Sequence, residues 1–403
     1  MSTSRRLIKL SELEQQAKSL LDPKAYDFIA GGAGEDEWAV KNNKKAFLRY
    51  HLIPRVLQDI HEVSTSTNLF GKQIAAPIIL GPCAFHKLAS PKGELATAQA
   101  AAEAKTIMTL STMSSYSIEE VAKVSKSPKW FQLYIFKNRA ITEKLVKRAE
   151  EAGYCALVVT VDVPVMGMRM RDINNKFSLP PDIDAANFRE IGLSALSAKT
   201  HGSKIKEHTD QQFDSSLNWH TIDWLHSITN LPIILKGILN ADDALEALKH
   251  NISGIVISNH GGRQLENAAA PIDVLPIIAQ VIQNRIPLLI DGGFNRGKDI
   301  FKAIALGADA VMVARYFMWA LAIGGEEKVI SMFKKLHEEL IHTMLLAGCA
   351  SLEIIKKRGL SLLTGPGIID LKLTALENKL NQLSEPSNFS PHVRNSLWLR
   401  SKL

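Results

Sequence analysis

The chain of 403 residues has little cysteine: Cys83, Cys155 and Cys349 stand far apart. An odd number without metal-type spacing argues against a disulfide framework or a cysteine metal site, and a reduced intracellular setting is expected. A long uninterrupted apolar run is also missing. The richest region, Ala303 to Gly325, is broken by Asp309 and Arg315, so no membrane span is expected. Charge forms no long block either. The net charge of +7 has its heaviest cluster at Lys41 to Lys45, which reads as a solvated helix face, and nucleic acid is not expected as a partner. No solenoid repeat or long low-complexity segment occurs, and no apolar core of signal-peptide length follows Arg5, Arg6 and Lys9. Gly31-Gly32-Ala33-Gly34 lacks the preceding strand and the spacing of a dinucleotide fingerprint, and reads as a helix C-cap.

What is present is a globular composition, 46% hydrophobic and 22% charged, long enough for one large α/β barrel or two ordinary domains. Helical spacing runs from Leu10 to Ile29, and Glu35-Asp36-Glu37 opens a second helix towards Arg49. From Lys72 short apolar runs alternate with helical stretches. The strands are expected at Pro77–Leu80, Thr106–Leu110, Trp130–Tyr134, Ala156–Val161, Pro232–Lys236, Gly254–Ser258, Pro287–Ile290 and Asp309–Val313. About eight such alternations describe a TIM (β/α)8 barrel, with a doubly wound open sheet as the alternative. The expected organisation is an N-terminal helical segment over 1–71, a barrel over 72–364 with a lid-like loop at 178–218, and a C-terminal tail over 365–403.

In a barrel of this type the chemistry lies at the carboxyl ends of the strands. Those ends are polar or cationic here: Pro82-Cys83-Ala84, Ser111-Thr112-Met113, Gln132-Leu133-Tyr134, Thr160-Val161-Asp162, Lys236-Gly237, Ser258-Asn259-His260, Asp291-Gly292-Gly293 and Ala314-Arg315. His260 can exchange a proton near neutral pH, and Arg263 offers a planar fork matched to a carboxylate. A small acid that is both held and deprotonated suits the pair.

Ser258-Asn259-His260-Gly261-Gly262-Arg263-Gln264-Leu265, Trp130-Phe131-Gln132-Leu133-Tyr134, Thr160-Val161-Asp162-Val163-Pro164 and Lys236-Gly237, in that fold, resemble the FMN-dependent (S)-2-hydroxy-acid oxidase and dehydrogenase family. The resemblance extends from about Leu10 to about Ser361. It implies FMN as cofactor, and His260 as the active-site base oriented by Asp162. It further implies that Arg263, Arg169 and Tyr26 bind the substrate carboxylate, with Tyr134 at the substrate hydroxyl. Pro82, Cys83, Ala84, Ser111, Gln132, Thr160, Lys236 and Ser258 would surround the isoalloxazine, with Lys236 near N1 and O2. Asp291 would meet the ribityl chain, and Gly292, Gly293, Phe294, Asn295, Ala314 and Arg315 the phosphate. The implied reaction takes a small 2-hydroxy acid and dioxygen to a 2-oxo acid and hydrogen peroxide. The alternative is a dehydrogenase passing electrons to a quinone or protein. A homotetramer or larger homo-oligomer is also implied.

Departures from the family pattern cluster at the expected phosphate. Asn295 stands where the first of two adjacent arginines is usual, leaving Arg296; Ala314 replaces a glycine and Tyr316 a proline. Weaker FMN retention is expected, because a charge-assisted contact has become neutral. Met113 and Met166 suggest a pocket open to a longer or flexible aliphatic side chain. Ala84, and the stretch from Asn174 to Phe177 with Leu179-Pro180-Pro181, lean towards a soluble oxidase. Ser401-Lys402-Leu403 matches the peroxisomal address and implies an import receptor as partner if the source is eukaryotic; otherwise a cytoplasmic setting is expected.

Overall fold

The computed structural model describes residues 10–191 and 211–366, together with 368, 371 and 372. Two N-terminal helices appear where the sequence suggests one: α1 (Leu10–Leu20) and α2 (Pro23–Ala30). Asp22 separates them by accepting from the backbone N–H groups of Lys24 and Ala25, with Pro23 in the first helical turn, where no donor is needed. α3 follows at Trp38–Ala46.

β1 (His51–Leu52) pairs antiparallel with a strand at Leu363–Thr364, tying the beginning of the chain to the end of the barrel region. β2 (Thr67–Leu69) and β3 (Lys72–Ile74) form a hairpin, so an N-terminal boundary at residue 71 falls within its turn. The hairpin lies at the amino ends of the barrel strands. Leu69 and Ile74 join the barrel-interior cluster, and Phe70 packs on Trp130 with ring centroids 5.5 Å apart.

The barrel consists of β4 (Ile78–Leu80), β5 (Met108–Ser111), β6 (Lys129–Leu133), β7 (Leu157–Thr160), β8 (Ile233–Ile238), β9 (Gly254–Ile257), β10 (Leu288–Ile290) and β11 (Ala310–Val313). All neighbours are parallel, and β11 returns to β4 to close the ring. These are the expected strands, with ends displaced by a residue or two. Their apolar residues are buried on both faces: Ile79, Val158, Ile234 and Val256 fill the interior, while Ile78, Leu157, Ile233 and Ile255 meet the surrounding helices. Plugged at one end by the hairpin, the barrel offers the other for a site.

The apolar region 303–325 is divided among a helix at Gly297–Ala305, β11 and the start of the helix Arg315–Ala347. Among the described residues no helix is long and apolar enough to cross a membrane. The centre of the expected lid, 192–210, lies outside the described residues, as does most of the C-terminal tail.

Candidate active site

β9 is followed by Ser258 and Asn259, after which the chain turns through three consecutive left-handed residues: His260 (φ 55°), Gly261 (φ 63°) and Gly262 (φ 79°). A non-glycine residue at such a φ is uncommon and is retained where its surroundings fix it. Here they do. The Asn259 side chain accepts from Gly262 N at 3.0 Å and exchanges two amide hydrogen bonds with Asn43 of α3, at 2.8 and 2.7 Å. A Cβ on Gly262 would lie 2.5 Å from Val40 N, so glycine is what lets the loop pack against α3.

The His260 imidazole is thereby set with Nδ1 2.9 Å from Asp162 Oδ1. Burial would raise the Asp162 pKa, but His260 and then Lys236 outweigh it and hold the carboxyl below its usual range. An ionised Asp162 makes Nδ1 the donor and leaves Nε2 as the basic nitrogen. Burial lowers the His260 pKa, opposed by Asp162 and aided by Lys236, so the ring is a neutral base at neutral pH.

Lys236, at the end of β8, donates to Ser258 Oγ at 2.9 Å and lies 3.0 Å from Asp291 Oδ2. Burial works against its charge, yet Asp291 and Asp162 prevail and its pKa is raised. The site therefore contains a permanent buried cation. At the neighbouring strand ends, Gln132 Oε1 accepts from Ser111 Oγ (3.2 Å) and Thr112 N (3.1 Å), while Gln132 Nε2 donates to Thr160 Oγ1 at 3.0 Å. This chain of contacts fixes a polar wall from β5 to β7.

One cavity joins these groups. Pro82, Cys83, Ala84, Ser111, Gln132, Tyr134, Thr160, Arg169, Lys236, His260, Arg263, Asp291, Gly292, Gly293, Phe294, Asn295, Ala314 and Arg315 all line it. Asp162 and Ser258 are not on its wall, and reach it through His260 and Lys236. Burial pushes the Cys83 thiol up to about 11 and the Tyr134 phenol up to about 12, so both keep their protons at neutral pH. Tyr134 is braced by Phe213, stacked at 4.5 Å between centroids. Met113 and Met166 are also on the wall.

Tyr26 is not among the lining residues, contrary to expectation. Its ring packs on Trp319 at 5.5 Å and its hydroxyl is 3.5 Å from Glu14 Oε1. Two positions further along α2, Phe28 lines the cavity instead, with the Arg263 guanidinium 5.5 Å from its ring centroid. Residues two apart on a helix point to different sides. The wall beside the arginines is consequently an aromatic face without a hydroxyl. Sequence reasoning missed Phe28 and Asn43, whose positions are set by the packing of α2 and α3 on the barrel.

Positive charge dominates the cavity. Arg263 donates to Gly31 O at 2.6 Å; Arg315 donates to Ala30 O at 3.2 Å and to Gly261 O. Arg169 Nε is buried without a hydrogen-bond partner. Burial, followed by the charge of Arg263, lowers the pKa of both Arg169 and Arg315. Each of these guanidiniums would gain from an anion. Asp291 Oδ1, also buried and unpartnered, offers an acceptor to hydroxyl groups. Paired positive regions, a hydroxyl acceptor and the polar Ser111–Gln132–Thr160 wall fit a flavin mononucleotide together with a small carboxylate.

The class defined by this arrangement is a β/α-barrel flavoenzyme with a histidine–aspartate pair at its carboxyl face. The family profile described as FMN-dependent dehydrogenase matches residues 17–362, and the chain belongs to that family, whose cofactor is FMN. It is 43% identical to a 2-hydroxyacid oxidase of Dictyostelium discoideum, over 86% of this chain and 88% of that protein. It is 44% identical to the peroxisomal (S)-2-hydroxyacid oxidase GLO4 of Arabidopsis thaliana, over 87% and 95%. Among solved structures, mandelate oxidase with (S)-4-hydroxymandelic acid superimposes with a TM-score of 0.83 at 40% identity, covering 89% of this chain and 98% of that one.

Proposed function

We propose that the protein is an oxidase of small (S)-2-hydroxy acids, forming the 2-oxo acid and passing electrons through FMN to dioxygen, which becomes hydrogen peroxide. The observation that carries the reading is the 2.9 Å Asp162–His260 contact beside Arg169 and Arg263 on one cavity wall.

Bound FMN would supply the acceptor for the α-carbon hydrogen together with its electron pair. Arg169 and Arg263 hold the substrate carboxylate, using N–H groups that the protein leaves incompletely paired. The Tyr134 hydroxyl, protonated at working pH, binds the substrate oxygen. His260 Nε2 takes the hydroxyl proton, and Asp162 stabilises the resulting imidazolium through Nδ1. Lys236 keeps a positive charge against the flavin edge, where it favours negative charge arriving on reduction. Ser111, Gln132, Thr160, Pro82, Cys83 and Ala84, with Ser258 behind Lys236, would hold the flavin ring. Asp291 would accept from the ribityl hydroxyls, while Gly292 to Asn295 and Ala314–Arg315 would hold the phosphate.

Apolar Phe28, Met113, Met166 and Phe213 complete the wall, which favours an aliphatic or aromatic side chain over a bare glycolate. Anaerobic addition of glycolate, L-lactate and a longer L-2-hydroxy acid should bleach the flavin band, and air should restore it with peroxide formed. Bleaching without rapid return would instead establish a dehydrogenase using another acceptor. A homo-oligomer is part of the proposal and is checked by light scattering. A peroxisomal setting has the support of the tripeptide Ser401-Lys402-Leu403, outside the described residues, and of the name of the Arabidopsis relative. Blocking the tripeptide should abolish capture by the import receptor.

A further inference from the structure

The cavity end formed by Gly292 to Asn295 and Ala314–Arg315 has lost a cation at Asn295. Arg296 does not replace it, because its Nε lies 3.0 Å from Glu339 Oε2 and the residue is not on the cavity wall. Another cation is near. Lys44 lines the same cavity from α3. Its neighbour Asn43 packs directly on the turn: a Cβ at Gly293 would lie 2.2 Å from Asn43 O. Glu14 of α1 lines the cavity too, and its Oε2 is 2.8 Å from Lys44 Nζ. The Glu14 carboxylate also favours the charged form of Arg315. An anionic group thus already lies within the influence of both Lys44 and Arg315.

We propose that Lys44 is a phosphate ligand for FMN, exchanging Glu14 for the cofactor phosphate and making up the charge absent at Asn295. This rests on the FMN reading above. The Lys44 side chain is 49% exposed, which leaves its flexible stem room to turn. An ammonium group is a point charge that needs no fixed fork geometry, so it can serve a phosphate from a helix beside the turn. Glu14 keeps Lys44 paired until the phosphate, with its greater charge, displaces it. Its own position on α1 couples the N-terminal helices to cofactor retention.

The test is FMN release from the full-length holoprotein, followed by free-flavin fluorescence after dilution at rising salt, with riboflavin binding as the control without phosphate. Lys44→Ala should weaken FMN about three- to tenfold, the size of a partly exposed charge-assisted contact, with riboflavin unaffected and a shallower salt dependence. Lys44→Arg should stay near wild type. Glu14→Gln, which removes the competing carboxylate, should strengthen FMN retention. Equal retention in Lys44→Ala and wild type would overturn the proposal, as would equal weakening of FMN and riboflavin, which would mean that the lysine acts through packing. Weakening of FMN by Glu14→Gln would overturn the exchange. A wild-type protein that holds no FMN at all would overturn the functional reading itself.

Discussion

At the His260 end of the cavity the base and the buried cation each have close partners: Asp162 for His260, and Ser258 and Asp291 for Lys236. At the Asn295 end two of the cations are less enclosed, with Lys44 half exposed and Arg296 paired with Glu339 off the cavity wall. The first end keeps the histidine, aspartate and lysine of the pattern the sequence resembles and differs at Phe28, whereas the second departs from it at Asn295, Ala314 and Tyr316. Proton transfer requires a donor and an acceptor held at hydrogen-bond distance and aligned, so substitution there has few solutions. A phosphate is held by summed charge, which can arrive from several directions. The chain can therefore vary one end while keeping the other.

The largest effect should follow from removing the base. His260→Ala should lower turnover by about 10²–10⁴-fold, as expected when a general base is lost, while the flavin spectrum of the purified protein stays intact. Near-normal turnover would remove the mechanism. Loss of flavin would show instead that the two ends are not separable.

Asp162→Asn should come next, at roughly 10²-fold in turnover, because an amide can neither fix the tautomer reliably nor stabilise an imidazolium. The pH profile gives a sharper reading. In the wild type, activity on the acid side should fall as pH drops through the His260 pKa, which burial places below the ordinary 6.5. Asp162 raises that pKa, so removing its charge should move the acid limb to lower pH while depressing the plateau. An acid limb that moves upward would contradict the assigned pairing.

Much of this was legible in the sequence because it is local. Apolar runs four to six residues long, each ending in polar groups, mark barrel strands and the ends that line the cavity with little dependence on tertiary context. His260, Asp162 and Lys236 follow directly from the strands that carry them. The hairpin Thr67–Ile74 was not legible, since Thr67-Asn68-Leu69 and Lys72-Gln73-Ile74 carry one apolar residue each and form no apolar run. Nor was the facing of α2. Tyr26 and Phe28 are both buried, at 9% and 5% exposure, so hydrophobic pattern cannot decide which one faces the cavity. Glu14 meeting Lys44 thirty residues later is likewise a consequence of helix docking.

Phe28 gives a substitution of intermediate size. Phe28→Tyr would add a hydroxyl donor beside Arg263 on the cavity wall. A net hydrogen bond of about 0.5–1.5 kcal/mol should lower KM for the hydroxy acid by up to about tenfold, with kcat little changed. An unaltered KM would place the carboxylate away from that ring.

The smallest effect should come from restoring the usual residue at the other end. Asn295→Arg puts a guanidinium back at the phosphate turn, and FMN should dissociate a few-fold more slowly at low salt, in line with about 0.5–1 kcal/mol for a partly exposed charge. The acid limb and turnover of the saturated enzyme should not move, because His260 and its partners are untouched. Combined with Lys44→Ala, the gain from Asn295→Arg should be larger than in the wild-type background, since two cations serving one phosphate repel each other and share its charge. Measuring the cycle of four proteins separates this from simple addition. Additive effects would mean that Lys44 and residue 295 do not serve the same phosphate, and a change in the acid limb would mean that the cavity's two ends are coupled through the cofactor.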